Sequence, residues 1–292
     1  MPQILDGKKI AQKLKDKLKI EIENLKFKFN RVPGLAVVQV GNVAASSVYV
    51  KAKTKAAKEV GINVIDHHLE ESTNQKDLIN LINQLNKNDG VNGILVQLPL
   101  PKTINEETVL NSIAPEKDAD GFHPLNVGKL SISQNNDESL MIPCTPYGCL
   151  LLLRELNINL AGKNAVVIGR SNIVGKPMAQ LLLKESCTVT TVHSKTENIE
   201  RICKNADILV AAIGKPRFVD KDWVKEGAII IDVGINRIKI NEEKSKLVGD
   251  VLFSDVENMV HAITPVPGGV GPMTIACLLR NTTIAFKNSN KL

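Results

Sequence analysis

The stretch Val166-Val167-Ile168-Gly169-Arg170-Ser171-Asn172-Ile173-Val174-Gly175-Lys176-Pro177 decides the fold. An apolar run closes on one glycine, and a second glycine six positions later opens a helical pattern over 174–184. That is the strand, turn and helix in which backbone amides can face a pyrophosphate. Ser171 stands where the middle glycine of G-x-G-x-x-G is usual, so the glycine pair draws its weight from the strand-to-helix context. Gly162 and Lys163 precede the strand over 165–168.

Working outward from there, the same alternation continues on both sides. Downstream, strands are expected over 188–192, 208–211 and 228–233, with a helix over 199–205. Upstream, Ile10, Leu14, Leu18, Ile22, Leu25 and Phe29 fall at the three-to-four spacing of one helix face, and Pro33-Gly34 ends it. A strand over 35–40, a helix over 44–60, a strand over 62–68, a helix over 75–85 and a strand over 93–98 follow. Pro99 and Pro101 stop that strand, and a helix resumes near Asn105. Residues 115–141, broken by Gly, Asn, Ser and Gln, read as the link between domains. A helix over 144–156 opens the second alternation, and one over 272–286 is expected to return to the first domain. The expected fold is α/β in two domains around a cleft, each with a mostly parallel sheet, the C-terminal one of the Rossmann type. The boundaries are 1–140, completed by 272–292, and 141–271.

At the end of the second strand of that C-terminal domain, NAD-binding proteins commonly place a carboxylate for the ribose 2′-hydroxyl. This chain has Val192-His193-Ser194-Lys195-Thr196 there. Ser194 and Lys195, with Arg170, offer donors and positive charge to a 2′-phosphate, which favours NADP over NAD. Gly169, Arg170, Ser171, Val174, Gly175 and Ser194 are therefore the candidate cofactor residues. Ile235, in Asp232-Val233-Gly234-Ile235-Asn236, joins them because that segment follows a strand end, as does Ala212-Ile213-Gly214-Lys215-Pro216.

Composition narrows the remaining classes. The 292 residues are 43% hydrophobic and 23% charged, enough for a substantial core and near the upper limit of one domain. The formal charge is +6, but Lys and Arg alternate with acids and only 3% of residues are aromatic. Neither a basic stripe nor stacking platforms for nucleic acid are present. The Lys-rich start lacks a secretory pattern, and no apolar run reaches the ~20 residues of a membrane span. A cytoplasmic protein bound to no membrane is expected. Cys144, Cys149, Cys187, Cys203 and Cys277 make no C-x-x-C pair and are odd in number. They read as reduced, buried thiols rather than a disulfide framework, and no required metal is expected.

In the first domain Ser46, Tyr49 and Lys53 are spaced three and four apart on one helix, so their side chains share a face. Gln97 and Asp120 come from elements that can meet them at the mouth of an open sheet. Lys51, Lys55 and Lys58 lie close by, however, and spacing alone leaves open that Lys53 is one more surface lysine.

Five segments bear on that choice: Tyr49-Val50-Lys51-Ala52-Lys53; Gly93-Ile94-Leu95-Val96-Gln97-Leu98-Pro99-Leu100-Pro101; Pro115-Glu116-Lys117-Asp118-Ala119-Asp120-Gly121-Phe122; Gly169-Arg170-Ser171 with Val174-Gly175; and Thr264-Pro265-Val266-Pro267-Gly268-Gly269-Val270-Gly271-Pro272-Met273-Thr274. In this order they resemble the bifunctional methylenetetrahydrofolate dehydrogenase/methenyltetrahydrofolate cyclohydrolase family, and the match runs from Asp6-Gly7 almost to the C-terminus. The resemblance implies NADP-dependent oxidation of 5,10-methylenetetrahydrofolate and hydrolysis of the methenyl product to 10-formyltetrahydrofolate, in one-carbon metabolism and purine biosynthesis. It also implies a cytoplasmic homodimer.

By motif, Lys53 resembles the catalytic lysine, Gln97 its polar partner, Tyr49 the ring that packs on folate, Asp120 the carboxylate that grips the pterin, and Ser46 a supporting hydroxyl. Val96, Leu98, Pro267 and Gly268 complete the expected substrate contacts. Ala52 and Ala119 depart from the usual residues without removing a functional group. A dehydrogenase resembling shikimate dehydrogenases would leave segments 93–101 and 115–122 unexplained. A sensor that has lost the chemistry would have no need of Lys53, Gln97 and Asp120.

Overall fold

The computed structural model describes residues 2–42, 44–133, 139–241 and 245–292, without the side chains of 44–46. In chain order the elements are β1 (Gln3–Ile4), α1 (Gly7–Phe29), β2 (Gly34–Val40), α2 (Ala44–Val60), β3 (Asn63–Leu69), α3 (Gln75–Lys87), β4 (Gly93–Val96), α4 (Glu106–Asn111), α5 (Pro124–Ile132), α6 (Cys144–Arg154), β5 (Asn164–Ile168), α7 (Gly175–Lys184), β6 (Thr188–Val192), α8 (Ile199–Cys203), β7 (Ile208–Ala211), β8 (Ile229–Asp232), β9 (Asn236–Lys239), β10 (Ser245–Val248), α9 (Phe253–Val256), β11 (Ala262–Ile263) and α10 (Val270–Ser289). Two compact units result, one of residues 12–144 with 275–292 and the other of 1–11 with 145–274. Among the described residues no helix is long and apolar enough to cross a membrane.

The unit of 12–144 and 275–292 is built on a parallel sheet ordered β3-β2-β4. Every residue of β2 is buried, as a strand covered on both faces must be. Ala36, Val38 and Val40 pack with Leu78, Ile82 and Leu85 of α3. Asn74 caps α3 by accepting from the Asp77 amide at 3.0 Å, satisfying one of the free N–H groups of its first turn. The α1 face read from spacing is the one turned inward: Leu18, Ile22 and Leu25 are buried, and Ile10, Leu14 and Phe29 half-buried. Strand β4 stops two residues before its expected end. Its last ladder bond runs from the Gln97 amide to the Val38 carbonyl at 2.8 Å, and Pro99 then has no N–H to donate.

Residues 115–141, expected to link the domains, hold a 3-10 turn (Pro115–Lys117) and α5, whose Asn126 and Leu130 are buried. The chain leaves this unit at Cys144 instead. The polar composition has a structural use, because Asn126 binds the buried carboxylate of Asp118.

The other unit carries a wholly parallel six-stranded sheet ordered β1-β11-β8-β7-β5-β6. Its strands 5, 7 and 8 are apolar throughout apart from end residues, and Val166, Ile168, Leu209, Ile230 and Ile263 share one core with Trp223. Two-residue strands β1 and β11 are too short to show any period, and only pairing defines them. The antiparallel hairpin β9-β10 stands outside that sheet. All five cysteines are buried.

Candidate functional site

In the first unit the site begins with α2. Tyr49 and Lys53, one helical turn apart, share a face, and Val50, Ala57 and Val60 anchor the helix in the core. Lys53 is only 4% exposed. Burying an ammonium is costly without partners, and this one has several. Its Nζ donates to Oε1 of Gln97 at 3.1 Å and stands 4.7 Å from the centroid of the Tyr49 ring. The Gln97 amide is oriented from its other end, where Nε2 donates to the Leu98 carbonyl at 2.6 Å. Val96 is buried beneath, and Leu98 is half-buried against the core of α3. The Leu98-Pro99 peptide is cis. Ser46 lies in the first turn of α2, but its side chain is outside the described residues.

Asp120 completes the group. Burial pushes its carboxyl up to about 6, the Lys53 ammonium pulls it down, and the Asp118 charge adds a further push upward. Asp118 itself is fully engaged in shaping the loop. It accepts from the amides of Gly121 at 3.1 Å and His123 at 2.8 Å, and from Asn126 Nδ2 at 2.9 Å. Tyr49, Lys53, Gln97 and Asp120 therefore come together, joining a cation, an amide, an aromatic face and a carboxyl. Such a set can hold a flat heterocycle by a carboxylate–N–H pair and move a proton at Nζ. Sequence reading passes over Asp118, although it lies in a quoted segment, because two aspartates so close together look interchangeable until burial separates them.

In the second unit the sheet order reverses beside β5, with β6 on one side and β7 on the other. This switch point is where open α/β sheets bind ligands. Gly169, at φ +118°, closes β5 there, and a Cβ on it would fall 2.3 Å from the Ala212 carbonyl oxygen. A Cβ on Gly175 would fall 2.3 Å from the Gly169 carbonyl oxygen. Only two glycines permit this tight turn, and the first amides of α7 lie along it. Ser171 Oγ accepts from Val174 N at 3.1 Å and Gly175 N at 3.3 Å, so it folds the turn leading into α7 as a glycine could not.

The register sets Ile168 beside Val192, so Gly169-Arg170 and His193-Ser194 leave adjacent strands at one level. Arg170, Ser194 and Lys195 are exposed. Their loop is folded by Thr196 Oγ1, which accepts from His193 N at 3.0 Å. Arg170 and Lys195 thus place cations, and Ser194 a hydroxyl, at the rim of this turn.

Two buried aspartates, unforeseen in the sequence, build the neighbouring loops. Asp250 accepts from Ile213 N at 2.8 Å, Gly214 N at 3.0 Å and Asn236 Nδ2 at 2.8 Å. Asp232 accepts from Gly234 N at 3.0 Å, Asp250 N at 2.9 Å and Val251 N at 3.0 Å. Burial nonetheless pushes the Asp232 carboxyl up to about 7, outweighing those donors. Ile235 is thereby presented at 56% exposure. Pro267 and Gly268 belong to this second unit, in the turn that receives the Lys8 amide on the Gly268 carbonyl at 3.2 Å.

Comparison with known proteins agrees with both halves. Residues 5–120 match the family model described as tetrahydrofolate dehydrogenase/cyclohydrolase, catalytic domain, and residues 143–290 match its NAD(P)-binding domain. A relative from Acetivibrio thermocellus, named bifunctional protein FolD, is 56% identical over 290 residues, covering 99% of each chain. The crystal structure of the bifunctional FolD enzyme of Campylobacter jejuni is 47% identical, with a TM-score of 0.93 over 99% of this chain and 100% of that one. The Trypanosoma brucei enzyme, solved with NADP and an inhibitor, is 39% identical, with a TM-score of 0.94 over 100% of both chains. The chain thus belongs to the tetrahydrofolate dehydrogenase/cyclohydrolase family, with that family's two-domain α/β fold of a catalytic and an NAD(P)-binding domain.

Proposed function

We infer that this chain is a bifunctional enzyme of one-carbon metabolism, which oxidises 5,10-methylenetetrahydrofolate with NADP and hydrolyses the methenyl product to 10-formyltetrahydrofolate. The observation that carries the reading is the buried Lys53 ammonium, held 3.1 Å from Gln97 and 4.7 Å from the Tyr49 ring. NADP, when bound, supplies the hydride acceptor. The protein's part in oxidation is positioning: Asp120 accepts N–H groups of the pterin, and Tyr49 packs on the folate. Hydrolysis asks for proton transfer as well, and Lys53, steadied by Gln97, provides it at Nζ. Ser46 supports this set. Val96, Leu98, Pro267 and Gly268 shape the substrate contacts. Gly169, Arg170, Ser171, Val174, Gly175, Ser194 and Ile235 bind the cofactor.

The test is an absorbance assay for methenyltetrahydrofolate, run with NADP, with NAD, and then from methenyl substrate alone. Formation with NADP and decay without cofactor are expected. No product under any condition overturns the reading, and equal rates with NAD overturn its cofactor preference. On the family resemblance we further propose a cytoplasmic homodimer whose product feeds purine biosynthesis. Sedimentation as a 31.8 kDa species at working concentration overturns the dimer.

A further inference from the structure

Helix α10 is apolar along most of its inner face, yet Asn281 is wholly buried there. A buried amide must be satisfied or it destabilises the fold, so its partners are informative. The Nδ2 group donates to the Ala119 carbonyl at 2.9 Å and to the Ile142 carbonyl at 2.8 Å, using both of its N–H bonds. Carbonyls only accept, which fixes the amide's orientation. Arg280 Nη1 reinforces it by donating to Oδ1 at 3.3 Å and to the Leu140 carbonyl at 3.4 Å.

The two carbonyls flank the segment that presents Asp120. Ala119 N donates to Ile94 O at 3.3 Å, and Cys144 N donates to Asp120 O at 3.2 Å. Cys144 Sγ reaches Ala119 O at 3.3 Å. Gly121, at φ +76°, lies so close to residues 142–143 that a Cβ would stand 2.6 Å from the Ile142 carbonyl carbon. Among the described residues no hydrogen bond ties the Asp120 carboxyl itself. Its aim is set by the backbone, and the backbone is set by what holds residues 119 and 142 together.

We propose that Asn281 is a positioning residue for Asp120: by bridging the carbonyls of Ala119 and Ile142 it fixes the direction in which the Asp120 carboxyl meets the folate. The inference rests on the reading of Asp120 as the folate-gripping group. In the full-length enzyme, Asn281→Leu removes both donors at similar volume. The KM for methylenetetrahydrofolate rises by about tenfold or more, the worth of one misaligned charge-assisted hydrogen bond from the pterin to Asp120, with a smaller change in kcat. The acid limb of kcat/KM moves, and NADP affinity, read by fluorescence titration, stays as in the unmodified enzyme.

Thr282→Val is the control for a purely structural effect, since Thr282 Oγ1 donates within its own helix to Leu278 O at 2.9 Å. It lowers Tm without moving KM or the pH profile. Should Asn281→Leu fail to fold, Asn281→Ser, which keeps one donor, shows an intermediate KM. An unchanged KM and pH profile in whichever Asn281 variant folds, or a parallel loss of NADP affinity, overturns the proposal. Asp120→Ala separates the two levels. If it leaves KM unchanged, the reading of Asp120 fails; if it raises KM while the Asn281 variants do not, only the role of Asn281 fails.

Discussion

The ammonium of Lys53 and the side-chain amide of Gln97, 44 positions apart in the chain, meet at 3.1 Å. Gln97 serves Lys53 as an acceptor, because an ammonium can only donate, and its Nε2, donating to the Leu98 carbonyl, keeps Oε1 turned toward Nζ. Removing the lysine takes away the proton carrier and leaves the ring of Tyr49 in place, while the Asp120 carboxyl loses the cation that pulls it down. Lys53→Met is expected to lower cyclohydrolase activity by about 10²-fold or more, the usual worth of general acid–base catalysis, and dehydrogenase activity by less. Decay of the methenyl absorbance against its NADP-driven formation measures both. Equal losses remove Lys53 from its assigned role.

The same cluster sets a pH dependence. With its carboxyl at about 6, Asp120 is a full acceptor for pterin N–H groups only above that value. The kcat/KM for methylenetetrahydrofolate is expected to fall as pH drops through 6, because the protonated acid loses acceptor capacity. Asp120→Asn abolishes that limb and lowers kcat/KM across the range. A limb that persists near pH 6 in the variant would assign it to another group.

Asp232 links protonation to stability. Its folded value of about 7 lies above the ordinary value of 3.8, so between these limits the folded state holds more proton than the unfolded chain. The stabilising contribution is complete below about pH 4 and is lost as pH rises through 7. Asp232→Asn removes this slope. It also costs about 1–3 kcal/mol, because one of the amide-facing oxygens becomes an NH2 group. Thermal unfolding of both proteins at pH 5 and pH 8 tests this: the variant has the smaller difference in Tm between the two pH values.

What the sequence discloses depends on whether a residue's role follows from a period. A helix repeat puts Tyr49 and Lys53 on one face but does not separate Lys53 from the lysines around it, which only the family resemblance does; Gly169 and Gly175 are legible because strand and helix patterns flank them. Strands β5 and β7 are apolar runs between turn residues and need no more than that. Asn281, Asp232 and Asp250 obey no such rule. Each is a polar residue inside a core most of whose partners are backbone groups brought near by tertiary folding, and Asp250 reaches Ile213 across 37 positions. The loop of Asp118 reads as a linker for the same reason, since a hydrogen-bonded loop and a solvated one share a composition. The two-residue strands β1 and β11 are too short for any pattern.

The glycine turn yields a prediction that separates the two activities. In Gly175→Ala the new Cβ would lie 2.3 Å from the Gly169 carbonyl oxygen and 2.8 Å from Arg170 Cα, both backbone atoms that a side chain cannot push aside cheaply. The turn must open, moving the first amides of α7. The dissociation constant for NADP is expected to rise about tenfold or more, a cost of about 1.4 kcal/mol. Hydrolysis of methenyl substrate without cofactor is expected to persist. Unchanged titration with NADP would show that the pyrophosphate lies elsewhere.

Arg170 tests the choice between the two nicotinamide cofactors. It follows Gly169 at the end of β5, level with Ser194 at the end of the adjacent strand, and both are exposed. No acid stands between them in Val192-His193-Ser194-Lys195 to compete for a guanidinium or to greet a bare ribose hydroxyl. A 2′-phosphate brings a charge that NAD lacks, so a cation acting on it contributes to one cofactor only. Arg170→Ala is expected to weaken NADP by about tenfold, the scale of a charge-assisted hydrogen bond, and to leave NAD nearly unaffected. Raising the salt concentration should narrow the difference, since an exposed charge pair is screened. If both cofactors weaken equally, Arg170 supports the turn rather than the phosphate, and the preference must come from Ser194 and Lys195.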